Sequence, residues 1–477
     1  MLSLALLCTL ASAAPPTEVG FVLNPLIAVD TAKDRSGEDH VESWTWLSAS
    51  ARQPGSSGWF LAINAEHHLR SGEDLEAMWE VRAGESGWSG PVGPIHLRVG
   101  HLVERWGKLD LLSSVNVLNP VDMRAGPLAS IEATRVPLPM ARIQTGGKHL
   151  RGELVLIPFA GADRADMVGG DWSIIRPGML QGALSEAADW PGSSGALMAE
   201  TVTSVETALD DMTPSTFRGL SAGLGSSGTP ESTFTNGEVA LRLEVEGRGF
   251  DAAFMGGALR SHRPATTLTP QIKQVLQDGE WPPLDQLNSL TAAVVQPLEI
   301  QWPRTWFAGT EASTTAGPFG VRLEGGWWSD AVVQTPWLGS ATSPRISGGA
   351  GVDWMHSSIL LISVEGSYTR YLDAPSQLFM MREEQLDIGG LLRWTTASDR
   401  LSLMAAGTLV PAHGEYLVRP EARYRASDQL ELGLGAVMIG GQEAPPTTLR
   451  QAMGYASGPM AYFGENDTVF AQLRWIQ

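Results

Sequence analysis

Cysteine is almost missing from this chain of 477 residues: there is one, Cys8. If the segment that carries it is removed, no disulfide, thiolate metal ligand or thiol nucleophile remains. Charge is scarce as well, at 18% of residues, where globular chains carry about 25%. What charge exists is mostly acidic, with 52 Asp and Glu against 33 Lys and Arg and a net charge of −19. That excludes the basic footprint that nucleic-acid binding needs. No stretch of about 18 apolar residues follows the first segment, so no helical membrane span is predicted. Catalytic signatures are lacking too: there is no Gly-x-Ser-x-Gly, no P-loop and no His-Glu-x-x-His. His67 and His68 are neighbours, which sends them to opposite faces of a strand. Asp163, Asp166 and Asp171 lie in a Gly-rich loop and read as solvated rather than as a calcium site. The sequence therefore predicts no enzyme, no metal and no cofactor.

What is abundant is glycine, at 53 residues, and tryptophan, at 17. Low charge with many Gly and Trp suits a surface that partly faces lipid. Residues 1–14, MLSLALLCTLASAA, read as a signal peptide, with an apolar core from Leu2 to Leu10 and small residues for cleavage. Residues 15–477 read as one unit.

The dominant pattern is strict alternation. Phe319, Val321, Leu323, Gly325 and Trp327 share one face, with Arg322 and Glu324 on the other. Leu360, Ile362, Val364 and Tyr368 oppose Ser363, Glu365 and Ser367. Tyr416, Val418, Ala422 and Tyr424 oppose Arg419, Glu421, Arg423 and Arg425. Val239, Leu241, Leu243 and Val245 oppose Arg242, Glu244 and Glu246. Period two suits a soluble sandwich and a membrane barrel equally. Aromatics near strand ends favour the barrel, where they would form an interfacial girdle: Trp327 and Trp328, Tyr368 and Tyr371, Trp394, Tyr416 and Tyr424.

The expected fold is all-β: a transmembrane, antiparallel, up-and-down β-barrel of roughly 16 strands (range about 14–18), with short helices in long loops or a plug. Predicted hairpins join 57–69 with 74–84, 138–147 with 149–159, and 216–225 with 236–247. Others join 304–315 with 318–329, 345–356 with 358–371, 384–398 with 401–411, and 413–426 with 428–440. The final stretch DTVFAQLRWIQ alternates as a closing strand. Three stretches interrupt the pattern, at about 106–137, 160–215 and 264–300. Helical spacing appears in 195–211 and in the stripe Leu284, Leu287, Leu290 and Val294.

Two sets of residues are candidates for lining the lumen or touching a ligand. The wall set is Arg98, Arg322, Glu324, Glu365, Arg393, Arg419, Glu421, Arg423 and Arg425. It reads either as a neutralising ladder of opposite charges or as a polar path whose arginines favour an anionic solute. The loop set is Asp110, Asn119, Asp122 and Arg124, within WGKLDLLSSVNVLNPVDMR (106–124). A thirty-residue connection of this kind is unusual without a role, and its Asn and Asp side chains can close its turns.

The strand and loop at 98–122, with Arg-x-Gly, Trp-Gly-x-x-Asp and Asn-Pro-x-Asp, resemble a family of outer-membrane barrels of unknown function. That family is related to the alginate-export type of porin. RVPLPMARIQTGGKHLRGELVLIPF (135–159) and GPFGVRLEGGWW (317–328) resemble it too. The resemblance implies a passive conduit in the outer membrane of a Gram-negative-type cell. Expected partners are outer-membrane lipid, the barrel assembly machinery, and periplasmic or inner-membrane transporter components; nucleic acid is not expected.

The function expected is a porin-like channel, or the outer component of an export or lipid-transfer system, that passes a polar, anionic or amphipathic solute. The alternative is a non-conducting barrel that anchors envelope or surface machinery.

Overall fold

The computed structural model describes residues 18–31, 41–71, 76–129, 134–165, 172–175, 179, 233–270, 273–274, 277, 298–357 and 359–477. The first half of the wall is β1 (Glu18–Asp30), β2 (Val41–Arg52), β3 (Gly58–Ser71), β4 (Glu76–Ala83), β5 (Ser86–Val92), β6 (Ile95–Leu102), β7 (Leu138–Gly146), β8 (Leu150–Ile157), β9 (Glu238–Glu246) and β10 (Phe250–Arg260). After a small two-stranded sheet of β11 (Ala265–Leu268) and β12 (Leu298–Gln301), the second half begins. It comprises β13 (Arg304–Ala316), β14 (Phe319–Thr335), β15 (Gly339–His356), β16 (Leu360–Tyr371), β17 (Glu384–Thr395), β18 (Leu401–Val410), β19 (Glu415–Arg425), β20 (Leu430–Gly440) and β21 (Thr468–Ile476).

Every wall strand pairs antiparallel with its neighbours in sequence, and β21 returns to β1, with Val22 opposite Ile476 and Asp30 opposite Thr468. Closure leaves no sheet edge exposed. Segments β4 and β5 are one interrupted strand, because both pair with β3, at Ile63–Arg70 and at Gly58–Phe60. The wall is therefore a closed antiparallel barrel of 18 strands, two more than the central expectation.

The difference has a physical cause. The sequence pattern passed over β1, β2 and β10, several of whose inward residues are apolar. Leu26 and Ala28 of β1, Trp44 of β2, and Ala253 and Met255 of β10 all face inward and are buried. Ile27 and Phe254 face outward beside them. Where both faces are apolar, alternation vanishes. The predicted hairpin of 216–225 with 236–247 does not form, because β9 pairs on one side with β8 and on the other with β10. Residues 216–225 lie outside the described residues, as do 195–211 and the stripe from Leu284 to Val294. The other six predicted hairpins are present.

The two rims differ in their connections. On one rim they run two to five residues, as at 93–94, 317–318 and 147–149. Gly93 and Gly317 supply the left-handed backbone of the two-residue turns, at φ 60° and 61°. Both described chain ends lie on this rim, where Phe21 and Gln477 exchange backbone hydrogen bonds. The opposite rim carries the long connections, including 103–137, 158–237, 261–303 and 441–467.

The outward face is a belt of exposed apolar side chains, such as Val239, Leu241, Leu243 and Val245 on β9, with Trp306, Trp327, Trp394, Tyr416 and Tyr424. Two residues expected in the aromatic girdle face inward instead. Trp328 is buried against Phe307 and lies under the Arg345 guanidinium, and Tyr371 packs with Val333 and Leu378. Each neighbours an outward position, and adjacent strand residues take opposite faces. His67 and His68 obey the same rule, since His67 stacks on exposed Trp79 while His68 is buried on Trp44.

Candidate functional site: a loop held around the inside of the wall

The connection 103–137 leaves the top of β6 and folds into the barrel. Its first half is held by carboxylates that project inward from the wall. Gly107 N–H donates to Glu311 of β13 at 2.7 Å. Glu324 of β14 accepts from the N–H groups of Lys108, Leu109 (2.6 Å) and Ser114 (3.0 Å), and from the Ser113 hydroxyl at 2.9 Å. Glu365 of β16 accepts the N–H groups of Asp110, Leu111 and Leu112 at 2.8, 3.0 and 3.0 Å. Three buried carboxylates are thus satisfied largely by backbone amides, which act as a fixed set of anion donors. Arg322 closes this region. It donates to the Lys108 carbonyl and Asp110 at 2.7 Å, to Asp353 at 2.6 Å, and lies 3.1 Å from Glu365.

Glycines on the wall make room for the loop. A Cβ on Gly349 or Gly351 would sit 2.6 or 2.8 Å from the Leu109 side chain. One on Gly389 would sit 3.2 Å from Leu112. Trp106 is buried with Leu102, Val115 and Leu118 against Met140, Val155 and Met255. Its indole N–H donates to Glu153 of β8 at 2.9 Å.

Asn119 fastens the neck of the loop. Its side-chain oxygen accepts Glu104 N–H at 2.8 Å, and its amide donates to the carbonyls of Leu102 and Val136, both at 2.9 Å. One side chain thereby ties together the loop's departure from β6, its middle and its return to β7. Nearby, Arg142 and Arg98 pair with Glu104, whose carboxyl is pushed up by burial against the pull of Arg142.

The second half is held by side chains. Arg82, Arg124 and Arg164 interleave with Glu66, Glu80 and Asp122. Burial alone would raise the Asp122 carboxyl. The hydrogen bond from Arg124 and the charges of Arg124, Arg164 and Arg82 outweigh it and bring Asp122 to about 2. Beyond this network, Ala125 and Leu128 pack on Leu26, Ala28, Trp44, Val437 and Phe470 of the wall. Burying a leucine is worth ~1.5–3 kcal/mol. Arg419 of β19 then donates to the carbonyls of Pro127 and Ala129 at 2.7 and 3.1 Å. Together the two halves line the wall from β8 round to β17 and from β4 back through β1 to β19.

A second connection, 441–467, is held by the same device. Glu415, 1% exposed, accepts Gly458 N–H at 3.1 Å and pairs with Arg382 at 2.6 Å. This pins the connection that holds the short helices α1 (Leu449–Met453) and α2 (Pro459–Tyr462), where Tyr455 and Tyr462 pack with Phe379 and Met179.

The residues singled out from the sequence divide accordingly. Arg322, Glu324, Glu365, Asn119, Asp122, Arg124 and Arg419 secure the loop. Arg98 lies over the Phe60 ring and pairs with Glu85 at 2.9 Å. Glu421 is buried between Arg419 and Arg423. Arg425 shares the face of Arg423 at the short-turn rim, where it pairs with Asp399 at 2.7 Å. Asn119 is fully buried, so it is a staple and not a contact for a solute. Asp110 keeps 69% of its side chain exposed, and Arg393 is exposed between outward Leu392 and Trp394, hence on the inward face. Arg393 makes no ion pair among the described residues. Sequence reading missed Glu66, Glu80, Arg82, Glu104, Arg142, Glu153, Arg164, Glu311, Arg382 and Glu415. A signal existed for some: an isolated inward Glu beside small residues, as in GTEAS (309–313). Asp163 is turned to structure as well, accepting Val121 N–H at 2.8 Å; Asp166 and Asp171 lie outside the described residues.

No known family profile and no curated protein matches the sequence. Solved structures do match. The crystal structure of Acinetobacter baumannii OccAB1 aligns at TM-score 0.50 and 8% identity, covering 97% of this chain and 96% of that one. Pseudomonas aeruginosa OpdQ aligns at TM-score 0.47 and 9% identity, covering 97% and 99%. At such identity the likeness to OccAB1 concerns fold alone: a closed antiparallel β-barrel.

Proposed function

We propose that this chain is a passive channel in the outer membrane of a Gram-negative-type cell, for small polar solutes with a preference for anionic or amphipathic ones. The observation that carries the reading is the interior loop bound to the wall of a closed barrel. Wall carboxylates and arginines hold polypeptide inside the lumen, which narrows the barrel. The belt of outward Val, Leu, Trp and Tyr is what a lipid-facing wall requires. The likeness in fold to porin-like barrels supports the same reading.

Exposed inward groups would then meet the solute. Arg393 is exposed and Arg423 partly so, and both sit on the β17–β19 side. Asp110 faces the lumen from the loop. A conduit needs no catalytic step, and none is assigned. Planar-bilayer recording tests the proposal. Stepwise conductance is expected after reconstitution, and Arg393→Glu should move its selectivity toward cations. Electrically silent protein that crosslinks stably to an envelope protein would replace the channel with an anchoring barrel.

A further inference from the structure

A cavity lies on the outside of the wall, across β6 to β9. It has a volume of about 710 Å³, within the roughly 300–1,000 Å³ of ligand clefts. Its floor is a cross-strand row: Val99 of β6, Ala141 of β7, Leu156 of β8 and Val239 of β9 stand opposite one another in register. Ala141 is the small member of that row, and its lack of bulk makes the surface concave. The cavity lies near the long-connection rim, where β6 to β9 are only eight or nine residues long. Phe234, 82% exposed, overhangs it from the connection after β8 and packs on Phe159 at 5.4 Å.

Its mouth is cationic. Arg304, at the start of β13, lines the cavity and is exposed, on the same outward face as Trp306. Arg260 lies directly opposite Arg304 in the β10–β13 ladder. Both guanidiniums donate to the Thr235 carbonyl, beside Phe234. One carboxylate, Glu238, is buried nearby, and one of its oxygens accepts Arg260 N–H at 2.7 Å. Two guanidiniums against one buried carboxyl leave the mouth electropositive.

An apolar trough that ends under paired guanidiniums, on the lipid side of a membrane wall, has one fitting occupant. We infer that this groove binds an anionic bilayer phospholipid, with an acyl chain along Val99, Ala141, Leu156 and Val239 and the phosphate on Arg304 and Arg260. The inference rests on the membrane-channel reading, which makes this face lipid-exposed. Guanidinium is the side chain suited to phosphate, and the short strands leave a height that a held lipid can fill.

Native mass spectrometry of the detergent-folded barrel, titrated with phosphatidylglycerol or phosphatidylcholine of equal chain length, tests it. Retention of phosphatidylglycerol several-fold above phosphatidylcholine is expected. Arg304→Gln should bring the two lipids level, and Ala141→Phe, which fills the floor, should reduce both. Equal retention in the unaltered protein, or a preference that survives both substitutions, overturns the inference. Conductance measured on the same preparation separates the two readings. A conducting barrel that holds no lipid defeats the groove alone, whereas a silent barrel that holds phosphatidylglycerol supports the groove and defeats the channel.

Discussion

The two halves of the interior loop are held by different chemistry. Residues 107–114 offer mainly backbone N–H groups to Glu311, Glu324 and Glu365. Residues 119–129 are fixed mainly by their own side chains: Asn119, the Asp122–Arg124 network, and Leu128 against the opposite wall, with Arg419 holding two backbone carbonyls. In the first half, the polar specificity belongs to the wall, while Leu109 and Leu112 fit against its glycines. In the second half, specificity belongs to the loop.

That contrast can be broken experimentally, and the wall carboxylates come first. Glu365→Ala leaves three N–H groups without their acceptor and takes one buried carboxylate from beside Arg322, at ~3–5 kcal/mol for a broken buried pair. The midpoint of urea unfolding, followed by tryptophan fluorescence in detergent, should fall, and single-channel noise should rise. An unchanged midpoint would remove the carboxylates from their anchoring role. Asn119→Ala comes next, at about 1–3 kcal/mol for the buried groups it leaves unpaired, read by the same unfolding curve.

The Asp122 carboxyl is held at about 2 against an ordinary 3.8. Its contribution, ~2 kcal/mol by linkage, is fully present above pH ~4 and is lost as pH falls toward 2. Unaltered protein and Asp122→Asn should therefore differ in unfolding midpoint at neutral pH and converge near pH 2. A constant gap across that window would contradict the network. The smallest effect belongs to the first half: Lys108→Ala should change stability by less than ~0.5 kcal/mol, because Lys108 is held through its N–H and carbonyl. A larger loss there would erase the distinction between the halves.

The legible part of this protein was the part governed by one face at a time. Strands β13 to β20 expose Leu323, Val364, Tyr416 and Leu432 outward and turn Arg322, Glu365 and Glu421 inward. Lipid and lumen select opposite polarities at alternate positions, so period two reports both. The pattern failed at β1, β2 and β10 because Leu128 and Val115 cover their inner faces. It also failed for the partners of the charges. Arg322 meets Asp110, which is 212 residues away in sequence, and no local rule carries that distance. The opposite-charge ladder expected along the wall exists in part, at Arg419, Glu421 and Arg423. The most buried glutamates turned instead to backbone amides of a distant loop, a donor that every residue carries and no sequence pattern reveals.

By itself, then, the sequence determined an all-β wall, its outward belt, its short turns and the presence of a long polar connection at 106–137. Each follows from local geometry: side-chain alternation, turn residues, and composition. The tertiary structure alone decided that 18 strands close the ring, that the connection runs inside it, and which charge holds which segment. Those outcomes depend on groups far apart in sequence that meet only after the barrel has closed around them.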